Sequence, residues 1–233
     1  MRPALGGCKL NLGSAFAVQG WRGKALSPRP QIEHIRKPQI LSAAAEVIAE
    51  RGLASTRITD VAERAGTSAP AVLYWFENKD VLLAEALTFD EDRFDAALDE
   101  RLATLTSPAA KLVALIEACA HDYDWQLWVE LWARSLQDVG TARARQELDD
   151  RWRELLAHLV REGKAAGEFG DCDPEEAALA LAALIDGLSL QMTLRDPAFT
   201  PTRVFEVCIA SAERLLGARL PDAQSGAAEA ALL

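Results

Sequence analysis

The chain has 233 residues, half of them apolar, so it is long enough to bury a core without the help of disulfides. Its formal net charge is −10, and no run approaches the ~18 unbroken apolar residues of a membrane span, which argues against a membrane protein and at first sight against a nucleic-acid partner. Its cysteines (Cys8, Cys119, Cys172 and Cys208) and three histidines are scattered, so we expect a cytoplasmic protein with no metal site and no cofactor.

The charge is divided unevenly along the chain. Residues 1–79 carry eleven Lys or Arg against six Asp or Glu, a net of +5, whereas residues 80–233 carry fourteen against twenty-nine, a net of −15. A basic first part can meet the phosphates of DNA while the acidic remainder stays away from them. Acidic solvated faces are common, so this asymmetry permits a nucleic-acid partner without establishing one.

Helical periodicity runs through almost everything after residue 36, and strand-like alternation is nearly absent, so the predicted class is all-α. Each predicted boundary carries a residue that caps or breaks a helix. The predicted limits are Pro38 to Arg51, about 58 to 65, about 68 to 76, a long helix from Lys79 through Leu105, a start at Ser107-Pro108, a break at Gly140-Thr141, an end at Gly167, Asp173-Pro174 to about Leu194, and Thr200-Pro201 to about Gly217.

These boundaries divide the chain into four parts. A basic, Gly- and Pro-rich leader at 1–35 is expected to be disordered, and whether it is translated in vivo is left open. A small helical domain at 36–78 and a larger helical bundle at 79–217 follow it. Residues 218–233 are expected to form a flexible tail.

The small domain has the spacing of a helix-turn-helix. Ile58, Val61 and Ala62 give its first helix an inward face. Ala65 is small enough for two helices to cross closely, and Gly66 can adopt the positive φ of a tight turn. A DNA-reading unit is therefore predicted here.

The second helix of this unit is the candidate recognition helix, which would place its first turn against base edges in the major groove. Thr67 or Ser68 can cap its start. The side that faces the core is predicted to be Val72, Leu73 and Phe76. The exposed side is predicted to be Ser68, Ala69, Ala71, Tyr74 and Trp75.

This unit resembles the helix-turn-helix of the TetR family of bacterial repressors. The residues that match the family's order and spacing are Thr56, Val61, Ala62, Ala65, Gly66, Ser68, Tyr74, Phe76, Lys79, Leu82 and Leu83. Leu73 stands where the family usually has tyrosine, and Pro70 replaces a common glycine. In the acidic domain, the segments WVELWARSL and DPEEAALALAALIDGLSLQ are similar to the effector domains of the subset related to betaine-synthesis regulators.

The resemblance implies a homodimer that binds double-stranded DNA at a palindromic operator and is released by a small-molecule effector. The residues implied to touch phosphates are Thr56, Tyr74 and Lys79, those implied to approach bases are Ser68, Ala69, Ala71 and Trp75, and the rest of the DNA-binding set is Arg36, Lys37, Arg57, Thr67 and Pro70. The recognition helix has no Arg, Asn or Gln for bidentate base contacts. Phosphate contacts and DNA shape are therefore expected to contribute substantially.

The tryptophans of the acidic domain support two interpretations. Core packing is the default, but several indoles can also wall a pocket for an aromatic or cationic ligand. The candidate pocket residues are Trp125, Trp128, Trp132, Trp152, Asp186 and Met192. Asp186 has its own alternative, a structural pairing with Arg195 or a partner subunit. Residues 121–124 have two interpretations, polar contacts to the pocket and a solvated helix cap, and the second is favoured.

Small and apolar stripes on the last two helices suit a symmetric dimer interface. The candidate interface residues are Ala177, Ala180, Leu184, Gly187, Phe205, Cys208, Ile209, Ala212 and Leu216.

The predicted function is a ligand-responsive transcriptional repressor that is not an enzyme. Two alternatives stay open: a helical enzyme or small-molecule-binding protein that keeps the fold without operator binding, and an architectural helical module without operator specificity. No sequence motif of a nucleophile elbow, a phosphate-binding loop or a zinc protease supports the first alternative.

Overall fold

A computed structural model describes residues 30–222, and within that range the chain forms nine α-helices and no strand, which confirms the predicted all-α class. In chain order the helices are α1 (Pro30–Arg51), α2 (Ile58–Arg64), α3 (Ala69–Trp75), α4 (Lys79–Leu102), α5 (Pro108–His121), α6 (Gln126–Ser135), α7 (Val139–Ala165), α8 (Pro174–Thr193) and α9 (Pro201–Leu216). The predictions for residues 1–29 and 223–233 lie outside the described residues.

The predicted helix limits agree closely with the structure except at two places. Helix α1 begins at Pro30, so Pro38 lies inside it, and the predicted boundary between leader and domain falls within this helix. Because proline has no N–H, the carbonyl four residues earlier loses its usual helical donor. The break predicted at Gly140-Thr141 is displaced to residues 136–138, because α6 ends at Ser135 and α7 begins at Val139 with Asp138 as its cap.

Helices α1, α2 and α3 pack around a small apolar core. Its most enclosed side chains come from all three helices and from the residue after α3, and they are Val47, Ile48, Val61, Val72 and Phe76. Helix α1 also packs along α4, while α3 packs on α2 and is joined to the start of α4 by residues 76–78. A shift of α4 can thus reach α3 through this short connection.

Helix α4 joins this small domain to the larger bundle. Asn78 caps it by accepting a hydrogen bond from the Val81 N–H at 3.0 Å, as predicted from the sequence. Along its length α4 contacts α1 and also α5, α6 and α7. One continuous helix therefore carries residues of both domains.

Helices α5 to α9 form the larger bundle, with the strongly apolar α5 at its centre. Helix α8 packs on α7 and α9, and α9 also packs on α5. Asp173 caps α8 by accepting the N–H groups of Glu175 and Glu176, and Gly217 ends α9 with a φ of 57°. The strong start signal at Asp173-Pro174 is thus confirmed.

Helix α8 has the length and apolar composition of a membrane span, yet one side of it is packed against the bundle. Its other side leaves Leu179, Ala180 and Gly187 exposed and Leu184 half-buried. Four of the predicted dimer-interface residues do not share that outer side, namely Ala177, Cys208, Ala212 and Leu216. These four are buried inside the protomer, so the prediction that they form the interface is wrong.

Candidate DNA-reading helix and aromatic cavity

The turn between α2 and α3 has the predicted geometry. Gly66 takes a φ of 62°, a left-handed value that costs glycine little. The next N–H, of Thr67, donates to the Ala62 carbonyl at 2.8 Å, and the Ser68 hydroxyl accepts from the Ala71 N–H at 3.4 Å. Ser68 is therefore the cap that starts α3, and it lies exposed on the surface.

The inner and outer sides of α3 differ from the prediction at two residues. Leu73, predicted to hold the helix to the core, is 51 % exposed, whereas Trp75, predicted to face DNA, is half-buried against the core. Tyr74 is 76 % exposed, and its ring meets that of Trp75 edge to face at 5.4 Å. Over seven residues a stripe through 72, 73 and 76 and one through 72, 75 and 76 are equally helical, and the larger indole takes the inner place.

Two residues implied to touch phosphates are engaged inside the protein. Thr56 is 1 % exposed, and its hydroxyl donates to the Gly52 carbonyl at 2.8 Å. The Lys79 ammonium donates to the carbonyls of Leu53 and Thr56 at 3.2 and 2.9 Å, which uses two of its three donors. The expected phosphate contact of the Thr56 hydroxyl is therefore wrong in this conformation, while Lys79 keeps one donor.

The cationic side chains predicted to contact DNA from outside α3 lie in different surroundings. Lys37 pairs with Glu85 of α4 at 2.5 Å and lies 5.5 Å from the ring centre of Phe76, so it turns toward α4 and away from α3's outer side. Arg57 is exposed at the start of α2, and the side chain of Arg36 lies outside the described residues. In the part of the chain that the structure describes, we define the reading surface as Arg57, Thr67, Ser68, Ala69, Pro70, Ala71 and Tyr74.

A cavity lies inside the larger domain among α4, α5, α6, α7 and α8, and we call it the aromatic cavity. It is lined by Glu91, Phe94, Cys119, Tyr123, Trp125, Trp128, Asp149, Trp152 and Asp186. Four of the six predicted pocket residues are thus brought together. Trp132 packs beside Trp125 and Trp128 without lining the cavity, and Met192 does not line it either.

Hydrogen bonds fix the orientation of most rings in this cavity. The Tyr123 hydroxyl and the Trp128 indole N–H both donate to one carboxylate oxygen of Glu91, the latter at 2.6 Å. The Trp125 N–H donates to the Cys119 carbonyl at 2.9 Å. The buried N–H of Trp152 has no partner, so among the three indoles of the cavity this is the one whose orientation no hydrogen bond fixes.

The lining is acidic and contains no Lys or Arg. Burial raises the pKa of Glu91 to about 7, against the lowering effect of its two hydrogen bonds. Burial also raises the pKa of Asp186 to about 7 and, to a lesser extent, that of Asp149. Asp149 forms an ion pair with Arg145. Within residues 37–222, Asp186 forms no ion pair with Arg195, its predicted partner, or with any other cationic side chain. Aromatic faces together with buried carboxylates suit a cation.

Five lining residues are absent from the predicted set, namely Glu91, Phe94, Cys119, Tyr123 and Asp149, although Tyr123 lies in the segment for which polar contacts to the pocket were the alternative interpretation. A signal existed for two of them, because Glu91 and Phe94 continue the apolar stripe of α4 beyond Leu87. A carboxylate on such a stripe faces the interior, where its burial is costly unless it has a hydrogen-bond or charged partner. The interpretation of residues 121–124 as a solvated cap is wrong for Tyr123, although its three neighbours are exposed.

No group of three or more His, Cys, Asp or Glu within the described residues is arranged to hold a metal ion. The chemistry available to the cavity is therefore that of its rings and carboxylates.

Two family models match the chain. Residues 40–86 match the one described as bacterial regulatory proteins of the tetR family, and residues 108–217 match the one described as BetI-type transcriptional repressor, C-terminal. The first covers the helix-turn-helix, and the second begins and ends with the helices of the larger domain after α4.

Relatives and solved structures agree with these matches. The HTH-type transcriptional regulator BetI of Pectobacterium carotovorum is 30 % identical over 183 residues, which are 74 % of this chain and 89 % of the relative. The regulator of the same name from Burkholderia thailandensis is 32 % identical over 178 residues, with 74 % and 89 % covered. A transcriptional regulator from Saccharomonospora viridis, whose structure is a complex with choline, is 29 % identical with a TM-score of 0.69, over 76 % of this chain and 94 % of the other.

Proposed function

The chain belongs to the TetR family of DNA-binding transcriptional regulators and has a BetI-type repressor domain, and from that premise we propose that its effector is a small quaternary ammonium compound such as choline. The observation that carries this proposal is the aromatic cavity, in which Trp125, Trp128 and Trp152 lie around Glu91 and Asp186, two largely buried carboxylates that pair with no Lys or Arg of residues 37–222. Cation–π attraction and buried negative charge both favour a trimethylammonium group. The choline complex of the Saccharomonospora viridis regulator supports the same ligand class.

The cavity is small in this conformation, with a volume of about 30 Å³, enough for roughly two water molecules. A trimethylammonium group therefore requires a ring to move outward. Trp152 is the ring free to do so, because its N–H makes no hydrogen bond. The ligand would then favour an expanded arrangement of α7 against α4, and this difference between states is what couples binding to conformation.

Helix α4 is the element through which such a change would reach DNA. Glu91 in its middle lines the cavity, while Asp80 in its first turn pairs with Arg134 of α6 at 2.6 Å. Residues 76–78 join the end of α3 to the start of α4, so a shift of α4 would be passed to the reading surface through this short connection. Ligand and operator would then weaken each other's binding by the same factor.

The working unit is proposed to be a homodimer that pairs through the outer sides of α8 and α9. Leu179, Ala180, Leu184 and Gly187 leave an apolar outer strip on α8, and Phe205 and Ile209 extend it on α9. A two-fold pairing would set two copies of α3 about one DNA turn, ~34 to 36 Å, apart on a palindromic operator. We place this dimer in the cytoplasm, where its DNA target lies, and assign it no catalytic role.

Fluorescence anisotropy with the DNA upstream of its own gene tests this function. We expect the chain to prefer that DNA over random DNA, with two chains per operator by sedimentation, and choline to weaken binding about 5- to 150-fold. The control is 3,3-dimethyl-1-butanol, called dimethylbutanol below, in which a tert-butyl group replaces the trimethylammonium group. It keeps the shape of choline without the charge, and we expect it to have little effect on operator binding. Equal effects of the two compounds would contradict a cation site.

The affinity for choline is expected to depend on pH. Burial holds the pKa values of Glu91 and Asp186 at about 7, so each carboxyl is partly protonated at neutral pH. A bound cation stabilises the carboxylates and lowers their pKa values in the complex, so binding releases protons. From about pH 6 to about pH 8 the affinity should rise, about tenfold for each carboxyl that must ionise, and then level off.

Isothermal titration calorimetry in buffers of different ionisation enthalpy measures both the affinity and the number of protons released. Dimethylbutanol provides the matched control, since an uncharged ligand gains nothing from carboxyl ionisation. A choline affinity that stays flat or falls as the pH rises would count against ion pairing in the cavity.

A further inference from the structure

A large cleft separates the DNA-binding domain from α7, and we call it the junction cleft. Its volume is about 800 Å³, and its walls come from α1, α3, α4 and α7. The wall residues that matter here are Lys37, Trp75, Phe89, Asp92, Leu148 and Arg151. The cleft is mostly apolar in its lining and is open to solvent.

A second small cavity, of about 30 Å³, lies between the junction cleft and the aromatic cavity. It shares Glu91 and Trp152 with the aromatic cavity, and it shares Leu148 and Arg151 with the junction cleft. The three spaces therefore adjoin one another in this order through their shared wall residues. Trp152 forms the inner partition and Arg151 the outer one.

Arg151 closes the outer partition through ion pairs. Its guanidinium contacts carboxylate oxygens of Asp95 at 2.6 Å and Asp92 at 3.1 Å, both on α4. Only 28 % of the Arg151 side chain and 22 % of the Asp95 side chain are exposed, so these charges are largely enclosed. Asp92, Asp95 and Glu91 form an acidic series that leads inward from the cleft, and Arg151 is the cation that balances its outer part.

From this arrangement we infer that cationic molecules enter the aromatic cavity from the junction cleft, and that Arg151 closes the route by its ion pairs with Asp92 and Asp95. An entering cation can replace the Arg151 guanidinium at the carboxylates of Asp92 and Asp95. These carboxylates therefore still face a positive charge when the Arg151 side chain moves aside. An anion has no such exchange open to it. The route thus selects by charge before the ligand reaches the rings. Its use by the natural effector rests on the proposed function, while the route itself does not.

Cys119, which lines the aromatic cavity, provides a reporter of entry. In a full-length chain carrying Cys8→Ser, Cys172→Ser and Cys208→Ala, it is the sole thiol. The probe is trimethylammonioethyl methanethiosulfonate. The Cys119 thiolate attacks the divalent sulfur of the thiosulfonate group, a disulfide forms as the bond to the sulfonyl sulfur breaks, methanesulfinate leaves, and the thiol proton goes to solvent. The rate is followed by intact mass.

We expect slow modification in the otherwise wild-type chain and an increase of about tenfold or more after Arg151→Met, because the acidic series then attracts the cation without a competing guanidinium. The anionic sulfonatoethyl reagent should gain much less. Arg161→Met is the matched control, since Arg161 is an ion-paired arginine on the same helix that lines none of the three spaces. It should leave the rate unchanged.

General loosening of the fold is measured with Cys208 as the sole thiol, because Cys208 is buried on α9 and does not line the cavity. Its rate is expected to be the same with and without Arg151→Met. The inference is overturned by an unchanged Cys119 rate in Arg151→Met, by equal gains for both reagents, or by an equal gain at Cys208. If the rates behave as expected but choline shows no binding at equilibrium, the route stands and the proposed effector fails.

Discussion

Replacing Pro70 with glutamate is expected to weaken operator binding by about a hundredfold or more while the protein stays folded. Pro70 is exposed in the first turn of α3, on the reading surface. A carboxylate near a helix N-terminus is favourable for the helix itself, so α3 should not be destabilised. The same charge would face phosphates in the groove, and juxtaposed like charges cost several kcal/mol, with about 1.4 kcal/mol for each factor of ten in affinity.

Two controls separate the causes of that loss. Pro70→Ala removes the proline without adding charge, and Ala97→Glu adds the same charge at an exposed position in the second half of α4. Both are expected to bind the operator within about threefold of wild type in the anisotropy assay, and all three variants should have similar melting temperatures. If Pro70→Glu binds as well as Ala97→Glu, then α3 does not enter the groove.

Replacing Glu91 with glutamine is expected to weaken choline binding by about 30- to 100-fold. The glutamine oxygen can accept the same hydrogen bonds from Tyr123 and Trp128, so the rings should keep their places while the charge is lost. Removing one partner of a buried charge pair costs about 2 to 5 kcal/mol. Choline at concentrations that release the wild-type chain from its operator should then leave this variant bound.

Asp90→Asn is the matched control for Glu91→Gln, because Asp90 is the adjacent carboxylate on α4 and does not line the cavity. It is expected to change the choline affinity less than about threefold. Dimethylbutanol should bind Glu91→Gln at least as well as it binds wild type. Calorimetry with both ligands distinguishes a loss of charge from a collapse of the cavity, and wild-type affinity of Glu91→Gln for choline would remove this carboxylate from the site.

Much of the fold follows from short-range chemistry that a sequence displays directly. The starts of α4, α5 and α8 can be predicted from the local sequence. Each has a capping side chain that accepts N–H groups two or three residues ahead, from Asn78, Ser107 and Asp173 respectively. The start of α1 is different, because Pro38 is acceptable both as a first residue and, at some cost, inside a helix. Local sequence rules favour Pro38 as the first residue of the helix, whereas in the structure it lies inside a longer helix that begins at Pro30.

The site was less predictable, for a reason visible in its geometry. The tryptophans indicate an aromatic region, but which of their indoles line a cavity depends on how α6 and α7 pack. Trp128 and Trp132 lie on the same helix and contact each other, yet only Trp128 lines the cavity. Glu91 and Asp149 come from helices far apart in sequence and meet only in the folded chain. Similarly, the choice between Leu73 and Trp75 as the inner residue of α3 is decided by the partners on α1 and α4 and not by periodicity.

Trp75 belongs at once to α3, the candidate recognition helix, and to the wall of the junction cleft, the proposed route of entry. Under these two proposals, a substitution there would alter two properties that selection usually adjusts separately: operator recognition, through the seating of α3 on the core, and how long a cell waits between the arrival of an inducer and the start of transcription. A lineage that retunes one of them through this position inherits a change in the other. Compensation would have to arise on α4 or α7, on the opposite walls of the same opening.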